Sequence, residues 1–259
     1  MSDVELRELA ELADLDAVYR LFDSVWHPDP SNPPVTTEML RALTKAGNYV
    51  SGAYDGDELI GACVGFFGAP SERTLHSHVA GVSDRARGRN IGYALKLHQR
   101  DWALQRGLIA IEWTFDPLIR RNAYFNLTKL GARPKEYLVD FYGQMRDEIN
   151  DGDESDRLLV RWQLDAPVGG ASVPEATTVL GRGDDGRPVR SDVPASGQAA
   201  VAVPIDVETL RGVDFAAAKE WRLAVREVLG GLLADGAQVT GFDRNGWYVL
   251  DLPGKGTVA

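Results

Sequence analysis

Cysteine and histidine are scarce in this chain, which has one cysteine and four histidines among 259 residues. A cysteine-based zinc site needs several thiolates and an intrachain disulfide needs two, so the sequence excludes both. The single thiol, Cys63, lies in an apolar run, and we expect it to be a core residue. No metal site is predicted.

Basic residues are outnumbered by acidic ones, with 28 Lys and Arg against 38 Asp and Glu and a formal net charge of −10. Binding to the phosphates of nucleic acid, or to an anionic membrane surface, needs a basic footprint. We therefore expect neither nucleic acid nor membrane as a partner.

Long hydrophobic runs are also missing. No segment approaches the roughly 18 apolar residues that a membrane-spanning helix needs. The first residues, MSDVELRELAELADLD, are charged throughout and lack the apolar stretch of a signal peptide. The hydrophobic share of 44% and the charged share of 25% are typical of a globular protein, and we expect a cytoplasmic location.

The element order over residues 1–165 predicts one mixed α/β domain: strand, two helices, about three strands, helix, strand, helix and two strands. The segment DLDAVYRLFDSVW has apolar residues at helical spacing, and TTEMLRALTKAG begins with a threonine cap. Two strand-like runs flank Asp-Gly, which indicates a hairpin.

The C-terminal third of the chain changes in composition. Residues 166–198 are rich in Gly, Pro, Ser and Asp and are predicted to be a linker with one short strand at TTVL. Residues 199–259 predict a smaller β-α-β-β subdomain, with an amphipathic helix over FAAAKEWRLAVREVLGGLLADG and a hairpin around Asn-Gly. That helix is expected to pack on its own strands or on the first domain.

A loop with glycines and arginines, SDRARGRN, separates a predicted strand from a predicted helix. Backbone N–H groups at a helix N-terminus are unpaired and carry a partial positive charge, and glycine lets an anion approach them. The loop therefore predicts an anion cradle suited to a pyrophosphate. Its spacing matches neither the Walker nor the Rossmann pattern. A turn with solvated arginines is the alternative.

The segment VSDRARGRNIGYAL resembles the pyrophosphate loop of the GNAT (Gcn5-related N-acetyltransferase) family, whose pattern is Arg/Gln-x-x-Gly-x-Gly/Ala. The residues that occupy this pattern are Arg87, Gly88, Arg89, Asn90, Ile91 and Gly92. Asn90 stands where glycine is usual, and asparagine tolerates left-handed backbone. NAYFNLTKLGA is similar to the late helix of the family. Together with SHVAGVSDRARGRNIG and SDRLLVRW, these segments resemble a predicted-acetyltransferase branch of GNAT proteins.

This resemblance implies a fold and a co-substrate. The fold is a mixed, splayed central sheet flanked by helices, with acyl-CoA lying between the two middle strands, followed here by the β-α-β-β subdomain. The backbone of Gly81, Val82 and Ser83 would hold the acyl carbonyl, and the amides from Arg87 to Gly92 would hold the pyrophosphate. Asn122 would bind the pantetheine arm, cap its helix, or do both.

Acyl transfer to an amine needs a base for the amine and sometimes an acid for the departing thiolate. His78, which shares a strand face with His76, and Glu112 are candidate bases. The tyrosine that usually serves as acid in the family is replaced by Leu127, so Tyr124, about one turn away, is the substitute. A structural histidine and a packing tyrosine are the alternatives.

Two further residues are predicted to bind substrate. Arg157 could clamp a carboxylate of the acceptor or of the acyl group, or form a strand-edge salt bridge. Asp116, before Pro117, could contact substrate or cap a turn.

The sequence thus predicts a CoA-dependent N-acyltransferase that moves an acetyl or larger group, such as succinyl, to the amine of a small molecule. The most specific version of this prediction is an amino acid as the acceptor. One alternative is a non-catalytic acyl-CoA sensor, and another is a different nucleotide ligand in the same loop. A homodimer is one assembly that this prediction allows.

Overall fold

The computed structural model describes residues 4–29, 33–143, 152–166 and 176–254. These residues form two compact units: one holds 4–113 and 163–165, and the other holds the remaining residues. The predicted domain over 1–165 spans parts of both units, so the compact units divide the chain differently from the predicted boundaries.

The first unit is a sheet with helices. Its strands follow the order β1-β2-β3-β4-β5, antiparallel as far as β4 and parallel between β4 and β5. Its elements, with the start of β5, are β1 (Glu5–Glu8), β2 (Tyr49–Asp55), β3 (Glu58–Phe67), β4 (Thr74–Val82), β5 (Ala110–Phe115), α1 (Leu12–Trp26), α2 (Thr37–Lys45) and α3 (Ile91–Gln105).

Strands β4 and β5 part soon after they meet. They pair at three positions, from Thr74 opposite Ala110 to His76 opposite Glu112, whereas β4 continues to Val82. The β5-facing edge of β4 is therefore open over its second half. This split confirms the splayed sheet that the resemblance implied.

Local signals placed the helices of this unit correctly. Apolar residues of α1 are buried at helical spacing, and the Thr36 side chain accepts a hydrogen bond from the Met39 N–H at 3.2 Å, which caps α2. Gly81 is needed for packing, because a Cβ there would lie 2.8 Å from the Trp26 ring of α1.

The second unit contains a hairpin, a five-stranded sheet and helices. The five-stranded sheet has the order β11-β12-β10-β8-β9. The elements are α4 (Arg120–Ala123), which continues as a π-helical segment (Tyr124–Lys129), β6 (Arg133–Leu138), β7 (Arg157–Gln163), β8 (Thr177–Arg182), β9 (Pro188–Arg190), β10 (Gly197–Ala202), α5 (Val207–Val213), α6 (Phe215–Val225), a second π-helical segment (Arg226–Gly230), α7 (Gly231–Ala234), β11 (Gln238–Phe242) and β12 (Trp247–Leu252).

The prediction of a linker over 166–198 is wrong for most of the described residues in this range. The strand expected at TTVL is present as β8, but β8 also pairs with β9 and runs parallel to β10. Residues 167–175 lie outside the described residues. The Gly- and Asp-rich composition belongs to the β8–β9 turn, where Gly186 has φ +78°, so turn chemistry was mistaken for linker chemistry.

The β-α-β-β order of the last segment is confirmed, with α5 as an additional helix. Its long helix, α6, contacts the β8–β9 turn of the five-stranded sheet, where buried Trp221 donates from Nε1 to the Gly186 carbonyl at 2.9 Å. Gly246 turns the β11–β12 hairpin with φ +90°. Among the described helices, none has the length and apolar character needed to cross a membrane.

Candidate functional site: an anion-binding loop and a set of transfer groups

The loop between β4 and α3 has the backbone that anion binding requires. Gly88 has φ +82° and Asn90 has φ +60°, both in the left-handed region. Asn90 thus adopts the conformation that the glycine usual at this position would adopt. The first N–H groups of α3, including those of Ile91 and Gly92, have no acceptor within the helix.

Among the residues that the structure describes, none gives Gly92 a steric reason to be glycine. A Cβ built there meets only the Val82 side chain, at an ordinary 3.8 Å, and the backbone is helical. Alanine is the better helix former, so a glycine at this position reduces helix stability. Open space above the unpaired amides is what a phosphate group needs to reach them.

The arginines of the loop are paired with acidic side chains of the same unit. Arg89 contacts Asp55 at 2.6 Å, Arg87 contacts Asp84 at 2.8 Å, and Arg85 pairs with Glu58. The Arg87 and Arg89 amides donate to backbone carbonyls in the turn, at 3.2 and 3.3 Å. The predicted pyrophosphate contacts by these two amides are therefore not supported, and the candidate amides narrow to Gly88, Asn90, Ile91 and Gly92.

Only part of the predicted carbonyl-binding segment is available. The Ser83 N–H donates to the Ile60 carbonyl of β3 at 2.9 Å, so its predicted role is not supported. Successive amides along a strand point to opposite edges, so Gly81 also points towards β3 while Val82 points to the open edge of β4. The Ser83 hydroxyl is buried and has no hydrogen-bond partner among the described residues. The unpaired Ser83 hydroxyl and the open edge of β4 are both suited to a polar ligand.

The two histidines of β4 share a face, as predicted. Their rings lie 6.2 Å apart, and both contact the Phe66 ring. His78 is exposed, with Nε2 at 3.4 Å from the Pro34 carbonyl oxygen, whereas His76 lies opposite Glu112 in the β4–β5 pairing. Burial, and then the neighbouring His78, lower the pKa of His76, which keeps its imidazole neutral at neutral pH. His76 is therefore the histidine that the structure brings to Glu112.

Lys96 of α3 was missed from the sequence. Its ammonium is buried, donates to Ser77 Oγ at 3.0 Å and Gln99 Oε1 at 2.9 Å, and lies 3.8 Å from the Trp113 ring centroid. Burial lowers the pKa of Lys96 to about 8. The signal was present, because Lys96 directly follows buried Leu95 on the apolar face of α3.

Cys63 belongs to the same polar cluster. Gln99 Nε2 donates to Cys63 Sγ at 3.3 Å, and the thiol is fully buried, which confirms it as a core residue. Burial raises the pKa of the thiol and keeps it in its unreactive form.

In the second unit, Leu127 is fully buried, so the position usual for the acidic tyrosine faces the core. Tyr124 is half-buried at the start of the π-helical segment, and its hydroxyl accepts a hydrogen bond from Arg244 Nε at 3.0 Å. Asn122 lies inside α4, whose N-cap is Ile119, so its predicted capping role is wrong. Its pantetheine role stays a prediction.

Asp116 has a structural role. Its carboxylate accepts the Leu118 N–H at 2.9 Å, which confirms the predicted turn cap. The same carboxylate contacts Arg222 through both oxygens at 2.8 Å and Arg211 at 2.7 Å. Burial opposes ionisation, but these charges outweigh it and hold the pKa of Asp116 well below its usual range. Asp153 completes the cluster, so the geometry does not support Asp116 as a substrate ligand.

Arg157 is buried rather than exposed at a strand edge. Its Nη1 donates to the Asp156 carbonyl at 2.9 Å, and its guanidinium carbon lies 5.4 Å from the ring centroid of exposed Tyr142. Burial lowers the pKa of Arg157, although nearby Asp116 opposes this. A substrate-binding role for Arg157 stays a prediction.

Comparison with known proteins gives a family and a fold. A putative acetyltransferase of the GNAT family from Desulfovibrio desulfuricans is 17% identical, with 62% of this chain and 99% of that chain covered and a TM-score of 0.51. The ribosomal-protein-S5-alanine acetyltransferase from Vibrio fischeri is also 17% identical, with coverage of 64% and 97% and a TM-score of 0.51. A search of curated proteins gave no match. Residues 15–132 match the model of the acetyltransferase (GNAT) family, and this part of the chain is therefore a GNAT acetyltransferase domain.

Proposed function

We propose that the protein is a CoA-dependent N-acyltransferase that moves an acetyl or larger acyl group, such as succinyl, to the amine of a small molecule. The observation that carries the proposal is Gly92: a glycine in the first turn of α3, beside unpaired amides, where a Cβ would have no described neighbour closer than the Val82 side chain at 3.8 Å. An amino acid is the acceptor we favour. A cytoplasmic homodimer stays a prediction.

The residues that would hold acyl-CoA fit its chemistry. The amides of Gly88, Asn90, Ile91 and Gly92 suit the pyrophosphate, and the Val82 N–H suits a polarised carbonyl at the open edge of β4. Asn122 is the candidate for the pantetheine arm. When bound, acyl-CoA supplies an activated thioester carbonyl.

Deprotonation of the acceptor is assigned to the His76–Glu112 pair, with His78 as the exposed alternative. A neutral imidazole can take a proton from the ammonium group, and a carboxylate beside it stabilises the resulting imidazolium. The lowered pKa of His76 supports this assignment, because a histidine that is already protonated could not act as base.

Two further residues are given roles in the proposed reaction. Tyr124 would give a proton to the departing thiolate, since its phenol is half-buried and hydrogen-bonded. Arg157 would pair with a carboxylate on the acceptor or on the acyl group. A buried guanidinium beside the exposed Tyr142 ring suits a planar carboxylate.

The first test is release of free thiol from acetyl-, propionyl- and succinyl-CoA with pools of D- and L-amino acids, other amines and a peptide beginning with alanine. The peptide is included because one fold neighbour is named an S5-alanine acetyltransferase. Release with one acyl-CoA and one amino-acid pool supports the proposal. Release with the peptide alone would redirect it to a protein acceptor.

A sensor that binds acyl-CoA without turnover is the second candidate, because Leu127 buries the position usual for the acid. Binding of CoA by calorimetry, together with no thiol release across the whole panel, would favour the sensor. Competition between CoA and ATP would test the remaining alternative of a different nucleotide ligand.

A further inference from the structure

The tip of the β11–β12 hairpin is held by contacts with β8 and by contacts within its own turn. Arg182 donates from Nη2 to the Asn245 and Gly246 carbonyls at 2.7 and 2.9 Å. Asp243 accepts the Trp247 N–H at 2.9 Å across the turn. A turn fixed in this way presents Arg244, which lies at its tip, in a defined direction.

This hairpin docks on the helical segment 120–129 at both of its ends. Near the first end, a Cβ at Gly246 would lie 2.9 Å from Arg120 Cδ, so the absence of that Cβ allows the close approach. Near the other end, Thr128 Oγ1 donates to the Phe242 carbonyl at 2.5 Å. Tyr124 lies between these two contacts.

Arg244 and Tyr124 meet at the middle of this docked surface. Arg244 Nε donates to the phenol oxygen at 3.0 Å, and the guanidinium carbon lies 5.4 Å from the ring centroid. Arg244 is exposed and makes no ion pair with a carboxylate among the described residues. The contacts at Gly246 and Thr128 already dock the hairpin, so the exposed arginine is not needed to hold it there.

We propose that Arg244 is a positioning residue for the transfer reaction, which holds the Tyr124 phenol with its O–H directed away from the guanidinium and free to donate. A phenol oxygen that accepts a hydrogen bond from arginine keeps its own hydrogen for donation elsewhere. The proposal rests on the proposed function, and it assigns a part in the reaction to the C-terminal subdomain.

The acceptor amine, already freed of its extra proton by the assigned base, bonds through nitrogen to the carbonyl carbon. The carbon–sulfur bond breaks, its electron pair passes to sulfur, and Tyr124 gives its proton to that sulfur. The proton that the nitrogen loses on becoming an amide returns through water to the phenolate. The guanidinium beside the phenol stabilises the transient phenolate through a charge-assisted hydrogen bond.

The test is a double-mutant cycle on kcat and KM with the substrate pair found by the thiol-release panel. We expect Tyr124→Phe to lower kcat about 100-fold, as loss of a general acid does. Arg244→Gln should lower kcat about tenfold with KM unchanged, and Arg244→Lys should restore part of it. The double variant should match Tyr124→Phe, because Arg244 acts through the phenol.

The control is Arg190→Gln, which removes an exposed arginine of the same unit that pairs with Glu227. It should leave kcat and KM unchanged, and melting curves should show that all variants are folded. The proposal would be overturned if the kcat losses of Arg244→Gln and Tyr124→Phe multiply in the double variant. It would also be overturned if Arg244→Gln behaves like the control. If Tyr124→Phe has the kcat of the wild type, Tyr124 is not the acid and Arg244 does not position it, but the protein is still a transferase. A wild-type protein that releases no thiol would instead refute the proposed function.

Discussion

Gly92→Ala is the substitution that separates an anion-binding loop from an ordinary turn. The new methyl group meets only Val82, at 3.8 Å, and the helical backbone accepts alanine. Alanine is favoured over glycine by up to about 1 kcal/mol in a helix, and we expect about half of this in the first turn. The variant should therefore melt about 1–2 °C higher than the wild type.

The same methyl group should weaken CoA binding, because it fills the space through which a pyrophosphate would reach the amides. Loss of one charge-assisted hydrogen bond is worth about 1.5–3 kcal/mol, which corresponds to a Kd about 10–100-fold higher. Calorimetric titration with CoA measures Kd, and thermal denaturation measures stability. A more stable protein that binds less ligand is the expected signature.

Gly88→Ala is the matched control within the loop. Its backbone has φ +82°, so alanine there is strained by about 1–2 kcal/mol although no atom obstructs the Cβ. This variant should melt at a lower temperature, opposite to Gly92→Ala. If Gly92→Ala binds CoA as tightly as the wild type, the open space above α3 is not a ligand site and our interpretation of the loop is wrong.

Three further predictions concern titratable groups. The pKa of Lys96 is about 8 in the folded state against 10.5 in the unfolded chain, so the unfolded state binds more protons in between. Unfolding free energy should therefore rise by up to about 3 kcal/mol from pH 8 to 10.5, and denaturant titrations of Lys96→Met should lose this dependence. Asp116→Asn should cost about 3–5 kcal/mol at pH 7, and the difference should shrink as the pH falls below about 4, because the carboxylate of the unfolded chain then takes up a proton while the folded one is still ionised; Asp84→Asn, at an exposed pair, should cost far less. His76→Gln should lower kcat about 100-fold in the thiol-release assay, and an equal loss in His78→Gln alone would reverse our choice of base.

The elements that were predicted correctly have strong local signals. The Thr36 cap, the Asp-Gly hairpin of β2 and β3, and the Asn-Gly hairpin at Gly246 depend on residues within a few positions of each other. The linker was misassigned because β8 is stabilised by pairing with β10, about twenty residues later, and composition alone does not report such pairing.

The candidate site was also predicted only where its residues lie close together in the sequence. The loop from Gly88 to Gly92 was found because its chemistry lies in one short segment. The role of Asp116 was not found, because its partners Arg211 and Arg222 lie 95 and 106 positions further along the chain. The contact of Arg244 with Tyr124 likewise depends on tertiary packing, whereas the position of Lys96 on the apolar face of α3 was a local signal that was missed.

The buried cluster of Asp116, Asp153, Arg211 and Arg222 has a consequence for synthesis of the protein. Domains generally fold as units while the chain leaves the ribosome. Here the carboxylates emerge first, and their set of counter-charges is incomplete until the helix that carries Arg222 has been made. The turn at Asp116 therefore reaches its final state only near the end of translation, and a prematurely terminated chain would be a substrate for quality-control proteases.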